Sequence, residues 1–126
     1  MIITNTIDYL KLTNEQKQEG FYIQYNGYQE YRQYHSNGQL NYKGNYINGK
    51  REGMWEDYWN NGQLYKKGNY INNKQEGIWE SYHDNGQLYY KGNYINDNRD
   101  GIWEHYHSNG QLKEKGNYIN GEEIKL

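Results

Sequence analysis

The chain has no cysteine, no segment of continuous apolar residues and no excess of charge of either sign. Without cysteine there is no disulfide framework and no thiolate metal site. Fourteen basic against sixteen acidic residues leave a net charge of -2, so the whole molecule offers no electrostatic footprint for nucleic acid or an anionic membrane. The first residues, MIITNTIDYLKL, have no basic start and no long apolar run, and nothing further on could span a bilayer as a helix. A cytoplasmic location is expected. Aliphatic residues are scarce too, since hydrophobic residues make up 33% and aromatics alone 17%.

What is present is tyrosine, 17 residues of it, in a strict period. NGQL begins at Asn37, Asn61, Asn85 and Asn109, KGNYIN at Lys43, Lys67, Lys91 and Lys115, and Trp55, Trp79 and Trp103 keep the same step of 24. Disordered chains are poor in aromatics, so this periodicity marks an ordered chain. A fixed period of this length signals a repeat architecture, in which each unit buries its apolar face only against its neighbours. Moving the repeat back one step puts Gly20 under Gly44 and Tyr31 at the tryptophan place, which makes a degenerate first unit. The expected organisation is a capping segment at 1–12, a repeat array at 13–120 and a C-terminal tail at 121–126.

Each unit holds two runs bounded by turn residues, and Asn-Gly is a strong signal for a two-residue hairpin. With Asn61-Gly62 as one loop, facing residues sum to 123; with Gly49-Lys50 as the other, they sum to 99. Glycine and tryptophan then alternate in one row (Gly44, Trp55, Gly68, Trp79, Gly92, Trp103, Gly116). Tyr46, Gly53, Tyr70, Gly77 and Tyr94 form a second row, and each large ring lies across a glycine. A third row on that face sets Leu40, Leu64, Leu88 and Leu112 among Trp59, His83 and His107. The opposite face acquires a ladder, Lys43, Glu56, Lys67, Glu80, Lys91, Glu104, Lys115, in which every charge lies between two opposite ones. The expected fold is all-β: a single-layer, elongated antiparallel meander of eight or nine strands, growing by ~9.6 Å per repeat. Charged residues guard its edges, Glu15, Lys17 and Glu19 on the first strand and Lys113, Glu114 and Lys115 on the last.

The words NG-x-L, KG-x-Y and EG-x-W-x-x-Y-x-x-NG resemble the MORN repeat, in its bacterial and viral variant with a period near 24. The resemblance covers Tyr22 to Asn120, departing in the first unit at Gln29 and Tyr31. It implies successive hairpins in a single-layer sheet with an aromatic groove. It also implies a scaffold or protein-binding module, with membrane-proximal scaffolds and antitoxin-like neutralisers of a toxin as alternatives.

A bare sheet cannot cover both faces, so the aromatic rows call for a cover: the N-terminal segment, a second copy or a partner protein. Trp55, Trp79 and Trp103 either pack over their glycines or anchor a partner. Positions that vary between units are the specificity candidates: Asp57, Ser81 and His105; Trp59, His83 and His107; Tyr42, Lys66, Tyr90 and Glu114. His105 and His107 share a face without a third ligand, so no metal is expected, and no cofactor. Ser36, Ser81 and Ser108 lack a nucleophile elbow, and a flat sheet lacks a water-excluding pocket, so no enzyme activity is expected. The lysines fall behind the aromatic face beside glutamates, so neither nucleic-acid stacking nor membrane binding is expected. A protein partner, or self-association, is the expected mode of action.

Overall fold

Turns at a fixed spacing fold the chain back on itself twice per repeat. In a computed structural model that describes residues 2–124, eleven strands lie side by side in sequence order in one sheet. They are β1 (Ile2–Thr4), β2 (Phe21–Tyr25), β3 (Tyr28–Tyr34), β4 (Leu40–Ile47), β5 (Lys50–Tyr58), β6 (Leu64–Ile71), β7 (Lys74–Tyr82), β8 (Leu88–Ile95), β9 (Asn98–Tyr106), β10 (Leu112–Ile119) and β11 (Glu122–Glu123). All pairings are antiparallel except that of β1 with β2. The expected single-layer meander is therefore the fold, with more strands than expected at both ends.

The ends also differ in kind. Asn14–Glu19 is a helix, α1, not an edge strand, so Glu15, Lys17 and Glu19 do not guard a sheet edge, and the hairpins begin at Phe21 rather than 13. The reason is local. Thr13 accepts the Gln16 backbone N–H while the Gln16 side chain accepts from Thr13 N, a capping box, and Gly20 ends the helix at φ 94°. The expected C-terminal tail begins as β11, the second arm of a hairpin through Asn120-Gly121. Met1, Lys125 and Leu126 of the two expected terminal segments lie outside the described residues.

The turns follow a different plan from the one expected. The two-residue turns with both residues at positive φ are Asn48-Gly49, Asn72-Asn73, Asn96-Asp97 and Asn120-Gly121, one residue earlier than Gly49-Lys50 and its equivalents. The Asn61-Gly62 loop has three residues. Gly62 N donates to Trp59 O and Trp59 N to Gln63 O, and only Gly62 has positive φ. That is a type I turn followed by a glycine bulge.

Both changes are absorbed by bulges. Tyr58 pairs with Leu64, and Asp57 with Lys66, so Tyr65 is an extra residue; beyond it the sum of 123 holds as far as Gly53 and Tyr70. On the other side Asn45 pairs with Glu52 but Lys43 with Glu56, which inserts two residues around Gly53. A two-residue insertion keeps each side chain on its face, and a one-residue insertion does not. The Lys/Glu ladder is consequently present from Lys43 to Lys115 in the expected register. The leucines are not where expected: Leu64 and Leu88 face Tyr58 and Tyr82, on the ladder side, and Tyr65 and Tyr89 take their place beside Trp59 and His83.

The two glycine rows have separate causes. A Cβ on Gly44, Gly68 or Gly92 would lie about 2.0 Å from the ring of Trp55, Trp79 or Trp103, so those glycines are seats for indoles. Gly53, Gly77 and Gly101 have open space around them and φ of 74 to 79°, so they serve the bulge.

The core lies on the aromatic face and is made of rings. Trp55, Trp79 and Trp103 are 0 to 4% exposed. Tyr46 and Tyr70 stand edge-on to Trp55 at 5.3 and 6.0 Å, and Tyr70 and Tyr94 flank Trp79 in the same way. At the N-terminal end a second cluster sits on the ladder side, where Phe21 and Ile23 are fully buried and Tyr9 and Tyr34 stack on Phe21. Arg32 lies over Tyr9 and pairs with Glu30. The N-terminal segment thus caps the ladder side, not the aromatic rows.

Two sets of apolar side chains went unexpected. Ile47, Ile71, Ile95 and Ile119 share the ladder face with Lys43 and its equivalents, two residues beyond Asn45, and Met54, Ile78 and Ile102 pair across to the asparagines of that face. These side chains are 41 to 57% exposed.

Candidate functional site

Seven of the ten variable candidates, Tyr42, Asp57, Lys66, Ser81, Tyr90, His105 and Glu114, fall with Gln33 into one continuous cross-strand row on the aromatic face. The units differ in chemistry at every step along this row.

At its centre Asp57 and Lys66 face each other between Tyr42 and Ser81, and a cleft of about 170 Å³ opens above them, walled by Tyr42, Tyr70 and Trp79. Arg51 closes one end. Its guanidinium lies 4.7 Å from the Trp55 ring and 5.2 Å from that of Tyr70, and its Nη1 donates to Tyr70 Oη at 3.1 Å. Stacking and this hydrogen bond hold the cation in place before any ligand arrives. Burial pushes the Asp57 carboxyl above its ordinary value, and the nearby Lys66 and Arg51 pull it back. The cleft therefore combines two cations, one reluctantly ionised carboxylate and aromatic walls.

One repeat further on the same place is filled. Ser81 stands where Asp57 stood and Tyr90 where Lys66 stood; Ser81 is fully buried, and its Oγ donates to Tyr65 O at 3.0 Å. The Tyr90 ring covers the site, 5.9 Å from Trp103 and 5.6 Å from His105. Burial lowers the His105 pKa, with Arg99 adding to the effect. Arg99 repeats the role of Arg51, 4.4 Å over Trp103.

The remaining candidates lie apart from this row. The side chains of Trp59 and His83 reach the next hairpin: Trp59 Nε1 donates to Tyr82 O at 3.0 Å, and His83 Nε2 donates to Tyr106 O at 2.9 Å. Asn61 and Asn85 do likewise, to Asp84 O and Ser108 O. At the opposite turns Asn73 Oδ1 accepts from Arg51 N, and Asp97 Oδ1 from Gln75 N. These groups staple each hairpin to its neighbour. His107, in the equivalent place to His83, is exposed. Of the two readings of Trp55, Trp79 and Trp103, the packed one holds: they are buried over their glycines, with tyrosines at their edges and Arg51 and Arg99 over Trp55 and Trp103.

Arg51 and Arg99 are the site residues that sequence reasoning missed. Their signal was present, because Gln75 takes their place in the unit between them. Among the described residues no three His, Cys, Asp or Glu side chains gather as a metal site would require, and no helix is long and apolar enough to cross a membrane.

The family model described as "MORN repeat variant" matches residues 30–48, 51–72, 75–96 and 99–120. No curated protein matches the chain. Among solved structures, a mutant of TarM from S. aureus, crystallised in complex with Fondaparinux, alpha-GlcNAc-glycerol and UDP, superposes with a TM-score of 0.48 at 14% identity. The match covers 97% of this chain and 24% of that one, so the chain spans about a quarter of that protein's length.

Proposed function

Given that the chain belongs to the MORN repeat variant family, we propose that it is a non-enzymatic binding or scaffold module that recognises another protein through the variable row of its aromatic face. The observation that carries this reading is the contrast along that row. The fold needs the invariant rings, glycines and staples, and does not need a cleft at Asp57 and Lys66, because the next unit fills the same place with Ser81 and Tyr90. An anchoring side chain of the partner enters the cleft, between the Arg51 and Lys66 cations and against Tyr42 and Tyr70.

The neighbouring unit supplies the variant for the test. Asp57→Ser with Lys66→Tyr copies residues that already pack one repeat away, so it closes the cleft while keeping the fold. Capture from a lysate with wild type and variant should recover at least one protein with the wild type that the variant loses. Equal recovery of every bound protein by two folded samples would overturn the reading.

A further inference from the structure

The sheet sorts its charges by face. From β5 to β9 the acidic side chains Glu52, Glu56, Glu76, Glu80, Asp100 and Glu104 lie on the ladder face, and Asp57 is the one carboxylate on the aromatic face, against the three cations Arg51, Lys66 and Arg99. A chain of net charge -2 thus turns positive charge toward the side that carries the variable row. Two of those cations stand at the cleft without a carboxylate of their own. Among the described residues the ion pairs are Lys11 with Asp8, Arg32 with Glu30 and Lys43 with Glu56, so Lys66, although it faces Asp57 across the strands, does not close on it. Arg51 donates to Tyr70 Oη and is held over two rings, with further N–H groups of its fork left for a ligand.

Resting on the binding role proposed for this cleft, we propose that the anchor it receives is acidic: a glutamate or aspartate side chain of the partner, its carboxylate between the Arg51 guanidinium and the Lys66 ammonium and its methylenes against Tyr42, Tyr70 and Trp79. Charge decides the class. Two cations and one carboxylate leave one positive charge in the cleft, which a carboxylate neutralises, whereas a phosphate dianion would overshoot and a cation would meet two like charges. Asp57 does not bar the ligand. Burial raises its carboxyl, so an incoming carboxylate meets an acid that takes up a proton more readily than an exposed one. The next unit lacks the whole device, because Gln75, Ser81 and Tyr90 stand in place of Arg51, Asp57 and Lys66. Two units on, Arg99 is present, but Glu114 faces His105 where Lys66 faces Asp57, so the second cation is missing. Each chain therefore has one place for an acidic anchor.

Nuclear magnetic resonance at the Trp79 indole N–H and the Arg51 Nε–H tests the proposal, with the whole chain titrated by N-acetylglutamate N-methylamide, by its glutamine and lysine analogues and by inorganic phosphate. Wild type should show saturable shifts with the glutamate probe and bind the glutamine analogue about tenfold more weakly, because the amide forfeits the charge-assisted hydrogen bonds. Arg51→Gln copies Gln75 of the next unit and should lose the shift at the Trp79 indole. Lys67→Gln removes the same charge from the ladder face and should bind as wild type does. If Arg51→Gln does not fold, Asp57→Ser with Lys66→Tyr takes its place with the same expected loss. Equal or tighter binding of the glutamine analogue, the lysine analogue or phosphate would overturn the acidic anchor. So would undiminished binding by the folded cleft variant, an equal loss in Lys67→Gln, or no saturable shift with the glutamate probe. None of these results touches recognition of a partner through the cleft by some other side chain, which falls only when wild type and the closed variant recover the same proteins from a lysate.

Discussion

The two faces of this sheet handle apolar surface in opposite ways. On one, Trp55, Trp79 and Trp103 lie down on glycines, tyrosines stand against their edges, arginines close over the first and last, and almost none of their indole surface remains in contact with water. On the other, a row of charges alternates in sign, and beside it isoleucines stand half exposed. A single layer can thus make a core without a second layer, provided that its side chains are wide enough to lie flat and its backbone has places without a Cβ. Aliphatic side chains cannot do this. They stand upright from the pleat, and only another surface can cover them.

The contrast breaks most readily at an indole. Trp79→Ala removes a ring that is 2% exposed and leaves Gly68 without its cover, and should destabilise the fold by ~3–5 kcal/mol in urea unfolding. A loss below ~1 kcal/mol would mean that the rings are not the core. Alkaline pH gives a smaller effect, which on the ladder face falls on two phenols. Burial, and then hydrogen bonds to Glu56 and Glu80, push the Tyr58 and Tyr82 phenols up to about 12. The folded state favours the protonated phenol, so this contribution is complete below the unfolded value of 10.0 and is lost as pH rises through about 12. The unfolding midpoint of Tyr82→Phe should fall less than that of wild type between those limits; parallel declines would remove Tyr82 from the account. Smallest is Ile78→Thr on the same face. It should change stability by less than ~0.5 kcal/mol, because its side chain is 52% exposed and threonine suits a strand. A larger loss would show that this side chain is packed within the chain.

Much of this was legible in the sequence, and the parts that were not have a common cause. The Lys43 to Lys115 ladder came out in register because the sum of 123 holds from Asp57 and Lys66 to Gly53 and Tyr70, and because on the other side the two-residue bulge around Gly53 offsets the earlier turn and restores the sum of 99 at Lys43 and Glu56. Near the turns the register rests on single residues. Asn-Gly fits both a two-residue turn and the end of a three-residue one, and the second option moved Leu64 to the other face and brought Tyr65 into the aromatic one. At the other turn, placing the loop at Gly49-Lys50 set Arg51 beside the turn rather than opposite Tyr46, which hid its stacking on Trp55. The isoleucine of KGNYIN sits four residues after the lysine, and strand alternation alone puts it on the ladder face. The row of variable positions was readable because it lies between the two bulges. The cleft within it was not, since a gap depends on how far Tyr90 reaches and Lys66 does not.

The staples have a consequence for how such a chain changes its length. Each links a turn to a partner 22 or 23 residues further along, at both ends of the hairpins in the middle of the array. One residue added or removed anywhere in a unit puts a whole set of these donors out of line with their carbonyls, whereas a complete block of 24 adds a hairpin and leaves every earlier link in place. Growth and shrinkage of this protein over generations should therefore proceed in whole hairpins, by duplication or loss of a block, with single-residue insertions and deletions confined to the segment before Phe21.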